Sequence, residues 1–255
     1  MGETFFFGSE IKGFTPHPDF CMELNEERLP DYMTFSCMPG YDTMFRNVHK
    51  LPPGHYLEYR EGKLTVTRYF TPEFHANPNK SYEQFVDEIS DTFKKSVAAH
   101  QISDVEVGCF LSSGVDSSFV ATELSKLQTV KTYTIGFDES KYSEADDARM
   151  LADEIHVANY EKKVSSEEYF ASVGDVQYHL DEPLANPSAN LLYFVSQRAA
   201  EDLKVVLSGE GADEMFGGYN VYKEPPALSR YQPIAPPLLR KAVAGGVKKL
   251  PDLKG

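Results

Sequence analysis

The stretch VEVGCFLSSGVDSSFVATELSKLQ, residues 105–128, decides the fold of this chain. It begins with an apolar run, which predicts a buried strand, and small residues at 112–115 then predict a tight loop. From Asp116 onward apolar residues recur at helical spacing, which predicts a helix. Because the first turn of a helix has unpaired backbone N–H groups and partial positive charge, this loop is a candidate phosphate site.

The polar residues of the loop suggest what it could bind. The hydroxyls of Ser112, Ser113, Ser117 and Ser118 can donate hydrogen bonds to a phosphate. Asp116 would repel a phosphate unless a metal lies between them, so it predicts Mg²⁺. The loop is neither a Walker A motif nor a G-x-G-x-x-G motif. An ordinary strand–turn–helix connection, with Asp116 or Ser113 as the helix N-cap, also explains this stretch.

Length, charge and cysteine content limit which classes of function the chain could have. Its 255 residues suffice for one large domain or two small ones. The net charge of −14 argues against a nucleic-acid partner. We find no N-terminal signal region and no apolar run near the roughly 20 residues of a membrane span. Cys21, Cys37 and Cys109 form neither a zinc motif nor a disulfide framework, so we expect a cytoplasmic protein, with Cys109 in the core.

In the N-terminal third of the chain, the sequence predicts a strand, loops with a short helix, and a hairpin. We expect a Phe-rich strand at Thr4–Phe7, although no partner strand for it lies nearby. A short helix is expected at 26–35. A hairpin is expected from strands at His55–Tyr59 and Leu64–Tyr69, joined by a turn at Glu61-Gly62. Residues 71–80 are rich in proline and asparagine and predict a linker.

The remaining chain alternates between helices and strands. Ser81 and Gln84 form a capping box at the start of a helix, and Ser143 is the expected N-cap of another. We predict further strands at 131–137 and 203–207 and helices at 167–180 and 190–202. This alternation predicts an α/β fold with a parallel sheet, whose ligands bind beyond the carboxyl ends of the strands.

A second small-residue loop, SGEGADEMFGGY at 208–219, follows the last of these strands. It contains the acidic residues Glu210, Asp213 and Glu214, and a solvated acidic turn would explain it if it stood alone. In a parallel sheet, however, both loops would lie at the same edge. We then expect Asp116 and Asp213 to converge, as two carboxylates that hold Mg²⁺ beside a triphosphate.

These motifs resemble a known family. LSSGVDSS resembles the SGGxDS pyrophosphate loop of adenylate-forming ATP pyrophosphatases, except that Ser113 stands where glycine is common. Together with VVLSGEGADEMFGGY, HLDEPLANPSA and TIGFDES, it resembles the synthetase domain of glutamine-hydrolysing asparagine synthetase. GSEIKGF and KLPPGHYLEY resemble the end of that family's N-terminal glutaminase domain. The resemblance implies the β-rich end of a glutaminase domain at 1–75, and at 81–255 an adenine-nucleotide α-hydrolase-like domain, incomplete at its C-terminus.

The resemblance also implies roles for individual residues. Leu111 and Ile135 would line the adenine and ribose pocket, and the pyrophosphate would be bound by Ser112, Ser113, Gly114, Val115, Asp116, Ser117 and Ser118. Ser208 and Gly209 would contact the nucleotide, while Asp116 and Asp213 would hold Mg²⁺. Glu210 corresponds to the acid associated with forming a β-aspartyl-AMP intermediate. Glu182 is a second candidate catalytic acid near the amino-acid substrate, although a plain loop residue before Pro183 would explain it equally well.

The implied activity is asparagine synthesis from aspartate, ATP and ammonia or glutamine, with release of AMP and pyrophosphate; a homodimer is left open. Family members begin with a nucleophilic cysteine, whereas this chain begins Met1-Gly2-Glu3. We therefore expect a chain that is truncated at both ends and does not hydrolyse glutamine. Two alternatives remain: a related adenylate-forming amide or β-lactam synthetase, and a non-catalytic ATP-binding remnant.

Overall fold

The computed structural model describes residues 4–75, 77–138, 145–222 and 241. The chain divides into two compact units, Met1–Ser208 and Gly209–Gly255. The linker predicted at 71–80 lies inside the first unit, so the predicted division into domains at that point stays a prediction.

Helices and strands alternate through most of the first unit. The strands are β1 (His55–Arg60), β2 (Lys63–Arg68), β3 (Val107–Phe110), β4 (Lys131–Phe137), β5 (Ala158–Val164) and β6 (Val205–Leu207). The helices are α1 (Leu29–Phe35), α2 (Tyr82–His100), α3 (Val115–Ser125), α4 (Ala145–Glu154), α5 (Ser166–Ala171), α6 (Val173–Leu180) and α7 (Ser188–Ala200). The second unit contains α8 (Ala212–Phe216).

The central element is a four-stranded sheet in the order β5-β4-β3-β6. All three strand pairs are parallel, and Cys109 of β3 is paired with Thr132 on one side and Leu207 on the other. The predicted parallel α/β fold is therefore confirmed. As a central strand, β3 has neighbours on both sides and is buried, which fits its nearly continuous apolar sequence. Cys109 in this strand is fully buried, as predicted.

Helices α2 and α3 cover one face of this sheet. α2 begins with the predicted capping box, in which the Ser81 hydroxyl accepts from the Gln84 N–H and the Gln84 side chain accepts from the Ser81 N–H. The Phe93 ring of α2 packs edge-on against Phe119 of α3, with 4.7 Å between ring centroids. Buried residues of α3, including Leu124, join the core beneath β3. The loop that connects β3 to α3 is thus fixed at both ends by packing.

Several local expectations are corrected. Residues Thr4–Phe7 form no strand, and no described strand pairs with them. The Phe6 ring packs instead against Phe14 and Phe20, while Phe5 stacks on Phe7 and Tyr59. The helix predicted at 167–180 is two helices, α5 and α6, and β5 was not predicted at all. The hairpin β1–β2 forms as expected. The expected cap Ser143 lies outside the described residues. In the part of the chain that the structure describes, no helix is long and apolar enough to cross a membrane.

Candidate active site

The loop between β3 and α3 is closed by a ring of serine hydrogen bonds. The Ser112 and Ser117 hydroxyls lie 2.9 Å apart, and the Ser112 N–H donates to the Ser117 hydroxyl at 3.1 Å. The Gly114 N–H donates to the Ser112 hydroxyl at 3.1 Å, while the Ser118 hydroxyl donates to the Gly114 carbonyl at 2.7 Å. Three of the four predicted serines therefore shape the loop itself. Ser113 is exposed and does not have a positive φ, so serine is compatible with the backbone there.

Helix α3 starts directly after this ring without a side-chain cap. Its N-cap is Gly114, which has no side chain to accept from the N–H groups of the first turn. Val115, the first helical residue, is 81% exposed. The half-buried Asp116 lies in the same first turn, and no described residue pairs with its carboxylate. An uncapped helix start and an unpaired carboxylate thus lie side by side at the end of β3.

The residue before the loop is held by a buried polar network. Leu111 is 2% exposed and its N–H donates to the Tyr133 carbonyl of β4. The Thr134 hydroxyl lies 2.8 Å from the Leu111 carbonyl and 3.0 Å from Asn159 Oδ1. Ile135, the other expected pocket residue, is half-buried on the next position of β4. The sequence motifs did not point to Thr134 or Asn159, although threonines at 132 and 134 on one face of an apolar strand are a usable signal.

The end of β6 brings Ser208 to the same edge of the sheet. Because β6 pairs in parallel with β3, with Leu207 opposite Cys109, the residue after Leu207 follows the same edge as the serine loop. Ser208 is exposed. Gly209 and the acidic residues that follow belong to the second compact unit. The convergence of Asp116 with Asp213 therefore stays a prediction.

Within the second unit, the acidic loop has a defined shape. Gly211 has a φ of +94° and precedes α8, a conformation that favours glycine. A Cβ at Gly218 would lie 1.8 Å from Asp213 Oδ1, so the Asp213 carboxylate requires glycine at this point. The Tyr219 hydroxyl donates to Glu214 at 2.9 Å, and this hydrogen bond raises the pKa of Tyr219 to about 12. Glu210 is exposed at the start of this loop.

Glu182, the other candidate acid, lies in a different environment. One of its oxygens accepts from the Met44 N–H at 2.8 Å, and the other pairs with Lys50 Nζ at 2.5 Å. Its side chain is 12% exposed. The carboxylate is therefore already engaged by the N-terminal region of the chain.

The described residues contain no cluster of three or more His, Cys, Asp or Glu side chains that could hold a metal alone. The cysteines are free thiols, and burial raises the pKa of the Cys109 thiol to about 12. Cys109 is therefore a core residue without nucleophilic character at neutral pH.

Comparison with known proteins finds relatives in sequence and in structure. The chain is 36% identical over 255 residues to a glutamine-hydrolysing asparagine synthetase of Bacillus subtilis, covering 99% of this chain and 40% of that protein. A putative asparagine synthetase of Mycobacterium tuberculosis is 37% identical, with 91% of this chain and 36% of that protein covered. An NMN synthetase structure from Francisella tularensis matches 55% of this chain and 59% of its own, with 16% identity and a TM-score of 0.37.

The chain thus spans about 40% of the length of the B. subtilis relative. Residues 1–70 match the glutamine amidotransferase domain family. Residues 88–255, which include both candidate loops, match the asparagine synthase family. From this match over most of its length, the chain belongs to the asparagine synthase family.

Proposed function

We propose that this chain binds Mg-ATP at residues 111–118 and contributes the adenylate-forming step of ATP-dependent asparagine synthesis. The observation that carries the proposal is the serine-closed loop at the carboxyl edge of the parallel sheet, followed by the uncapped start of α3. Its N–H groups suit phosphate oxygens, and the neighbouring Asp116 carboxylate suits a divalent cation. The residues present therefore fit a magnesium-bound nucleotide.

The proposed roles follow from position. Leu111 and Ile135, at the ends of adjacent strands, flank the base and ribose, and the residues from Ser112 to Ser118 surround the pyrophosphate. By family resemblance, Ser208 and Gly209 would also contact the nucleotide. By family resemblance, Asp116 and Asp213 are the residues that would hold Mg²⁺, which would supply positive charge to neutralise the departing pyrophosphate.

The chemistry that these groups serve is activation of a carboxylate. A carboxylate is a poor acyl donor, because its leaving group would be oxide. Attack of the aspartate side chain on the α-phosphorus of ATP breaks the bond to pyrophosphate and gives β-aspartyl-AMP. Ammonia, supplied directly or from glutamine, then attacks the acyl carbon, and AMP leaves as asparagine forms. The N–H groups of the first turn of α3 would stabilise charge on the phosphate oxygens during the first step.

Of the two acids that the sequence suggested, we assign the role near the intermediate to Glu210. The Glu182 carboxylate is held by Met44 and Lys50, so it would have to break an ion pair and a hydrogen bond before it could act on a substrate. Glu210 lies in the second loop, whose family resemblance gives it this role.

The first experiment measures Mg-ATP binding to the chain by isothermal titration calorimetry, with and without Asp116→Asn. Asp175→Asn is the matched control, because Asp175 is an exposed aspartate in the first turn of another helix, α6. Removal of either charge has the same helix-dipole effect, but only Asp116→Asn should weaken Mg-ATP binding, by about tenfold or more. Equal effects of the two substitutions, or no binding by the folded wild-type chain, would refute the proposed site.

The second experiment measures pyrophosphate release with aspartate and with other carboxylic acids. Release that depends on aspartate and ammonia supports asparagine synthesis. Release with another acid instead would identify a related amide or β-lactam synthetase. Mg-ATP binding without any release would identify a non-catalytic nucleotide-binding chain.

A further inference from the structure

Asp181, at the C-terminal end of α6, contacts a segment that is distant in sequence. Its carboxylate accepts from the Ile11 N–H at 2.6 Å and from the Lys12 N–H at 3.3 Å, residues 170 and 169 positions earlier. These two amides begin a 3₁₀ helix at Ile11–Phe14 that has no cap from its own neighbours. Asp181 has a φ of 62° and a side chain that is only 10% exposed. It therefore acts as the missing N-cap of that 3₁₀ helix.

Lys12 caps α6 in return. Its Nζ donates to the His179 carbonyl at 3.2 Å and to Asp181 at 3.1 Å, pairs with Glu10 at 3.0 Å, and lies 5.3 Å from the centre of the Tyr178 ring. A cation at a helix C-terminus interacts favourably with the helix dipole. Burial acts to lower the pKa of Lys12, but the hydrogen bonds to Glu10 and Asp181 outweigh it and raise this pKa. Asp181 thus places a negative charge at the N-terminal end of the 3₁₀ helix, and Lys12 places a positive charge at the C-terminal end of α6.

Glu182 forms a second contact of the same kind. It accepts from the Met44 N–H and pairs with Lys50, which lie 138 and 132 positions away. The turn that presents Met44 is shaped by Thr43, which is fully buried and whose hydroxyl lies 3.0 Å from the Phe45 carbonyl and 2.9 Å from the Val48 carbonyl. Thr43 therefore stabilises this turn from within, and the Met44 N–H of the turn donates to Glu182.

The segment 181–187 makes further hydrogen bonds, to Gln177 of α6 and to Ser36 of the N-terminal region. The Gln177 side chain accepts from the Leu184 N–H at 2.9 Å and donates to the Leu184 carbonyl at 3.3 Å. The Ala185 N–H donates to the Ser36 carbonyl at 3.0 Å. This segment leads into α7, which packs against the face of the sheet that carries Ile135. The N-terminal region therefore contacts, through one short segment, the helix that supports the proposed nucleotide pocket.

We propose that Asp181 and Glu182, with Lys12, Met44 and Lys50, form a joint that fixes the N-terminal region to the segment before α7. In this joint Glu182 is a positioning residue. The joint, rather than the stretch at 71–80, sets how the region matching the amidotransferase family is held against the synthetase part. The structural part of this inference does not rest on the proposed function.

The test measures hydrogen–deuterium exchange of the full chain, with the Met44 amide as the reporter. Glu182→Ala removes both contacts and should speed exchange at Met44 by about tenfold, whereas Glu182→Gln keeps a neutral acceptor and should give a smaller increase. Lys50→Met should also speed exchange at Met44, and combining it with Glu182→Ala should add little. Lys63→Met, an exposed lysine of β2, is the control and should change nothing at Met44.

Unchanged exchange at Met44 in Glu182→Ala, with the chain folded, would overturn the joint. So would simple additivity of Lys50→Met and Glu182→Ala, because two partners of one contact must be coupled. The positioning role of Glu182 is tested separately, by the rate of pyrophosphate release. This test rests on the proposed function and is applied once the wild-type chain is seen to release pyrophosphate. Glu182→Gln should retain most of the rate and Glu182→Ala should lose more, whereas equal abolition by both would make Glu182 a catalytic acid.

Discussion

Thr134→Val tests whether the buried network beneath the serine loop positions the nucleotide site. Thr134 is 2% exposed, and its hydroxyl lies 2.8 Å from the Leu111 carbonyl and 3.0 Å from Asn159. Valine has nearly the same shape but cannot donate, so the Leu111 carbonyl loses this donor. Loss of a partner by a buried polar group costs about 1–3 kcal/mol, which lowers the melting temperature by roughly 2–12 °C for a chain of this size.

The matched control is Thr132→Val. Thr132 is fully buried on the same face of β4, and its hydroxyl contacts Asn159 and the Ala158 carbonyl but not Leu111. We expect both variants to lose similar free energy of unfolding in urea titrations. Only Thr134→Val should also weaken Mg-ATP binding, because only Thr134 holds the residue that precedes the serine loop. Equal binding losses in the two variants, or an unchanged stability of Thr134→Val, would refute this reasoning.

Three further perturbations follow from the packing around β3. Gly108→Ala places a Cβ 2.6 Å from the Lys131 carbonyl, and urea titration should show a loss of about 1–3 kcal/mol, whereas Gly174→Ala, with nothing within 4 Å, should be neutral or stabilising. Ser117→Ala removes the hydroxyl that contacts the Ser112 N–H, the Ser112 hydroxyl and the Gly114 carbonyl, and it should weaken Mg-ATP binding in calorimetry while the melting temperature changes little. Burial raises the pKa of Cys109 from 9.0 to about 12, so the unfolded chain loses this proton first. The free energy of unfolding should then fall as the pH rises from about 9 towards 12, and Cys109→Ala should remove that part of the slope.

The elements that the sequence predicted well are those with a strong local signal. The apolar run of β3 needs burial on both faces, and a central position in a parallel sheet satisfies that need. The start of α2 was predictable because Ser81 and Gln84 pair with each other's backbone, so the capping box depends on no distant residue.

The features that the sequence did not predict correctly fall into two groups. In some, the local composition points away from the observed structure, and in others the structure depends on residues far away in the chain. β5 reads ANYEKKV, whose consecutive charged residues suppress the apolar pattern because it is an edge strand. The phenylalanines at 5–7 have strand-forming composition, but a strand needs a partner, and ring packing stabilises them instead. Asp181 caps amides that are 169 and 170 residues away, and no local pattern in the sequence can indicate such a contact.

At Ser113 the loop departs from the common glycine pattern. The conformation there shows which interactions determine the backbone shape of the loop. Ser113 has no positive φ, and Gly114 has a φ of −69°, so neither position needs the backbone freedom of glycine. Space is the tighter constraint, because a Cβ at Gly114 would lie 3.2 Å from the Ser112 hydroxyl. The hydroxyls of Ser112 and Ser117 hold the turn, and the exposed Ser113 side chain takes no part in that ring. The loop therefore keeps its shape with serine at this position, and the Ser113 hydroxyl could donate to a phosphate in the proposed nucleotide site.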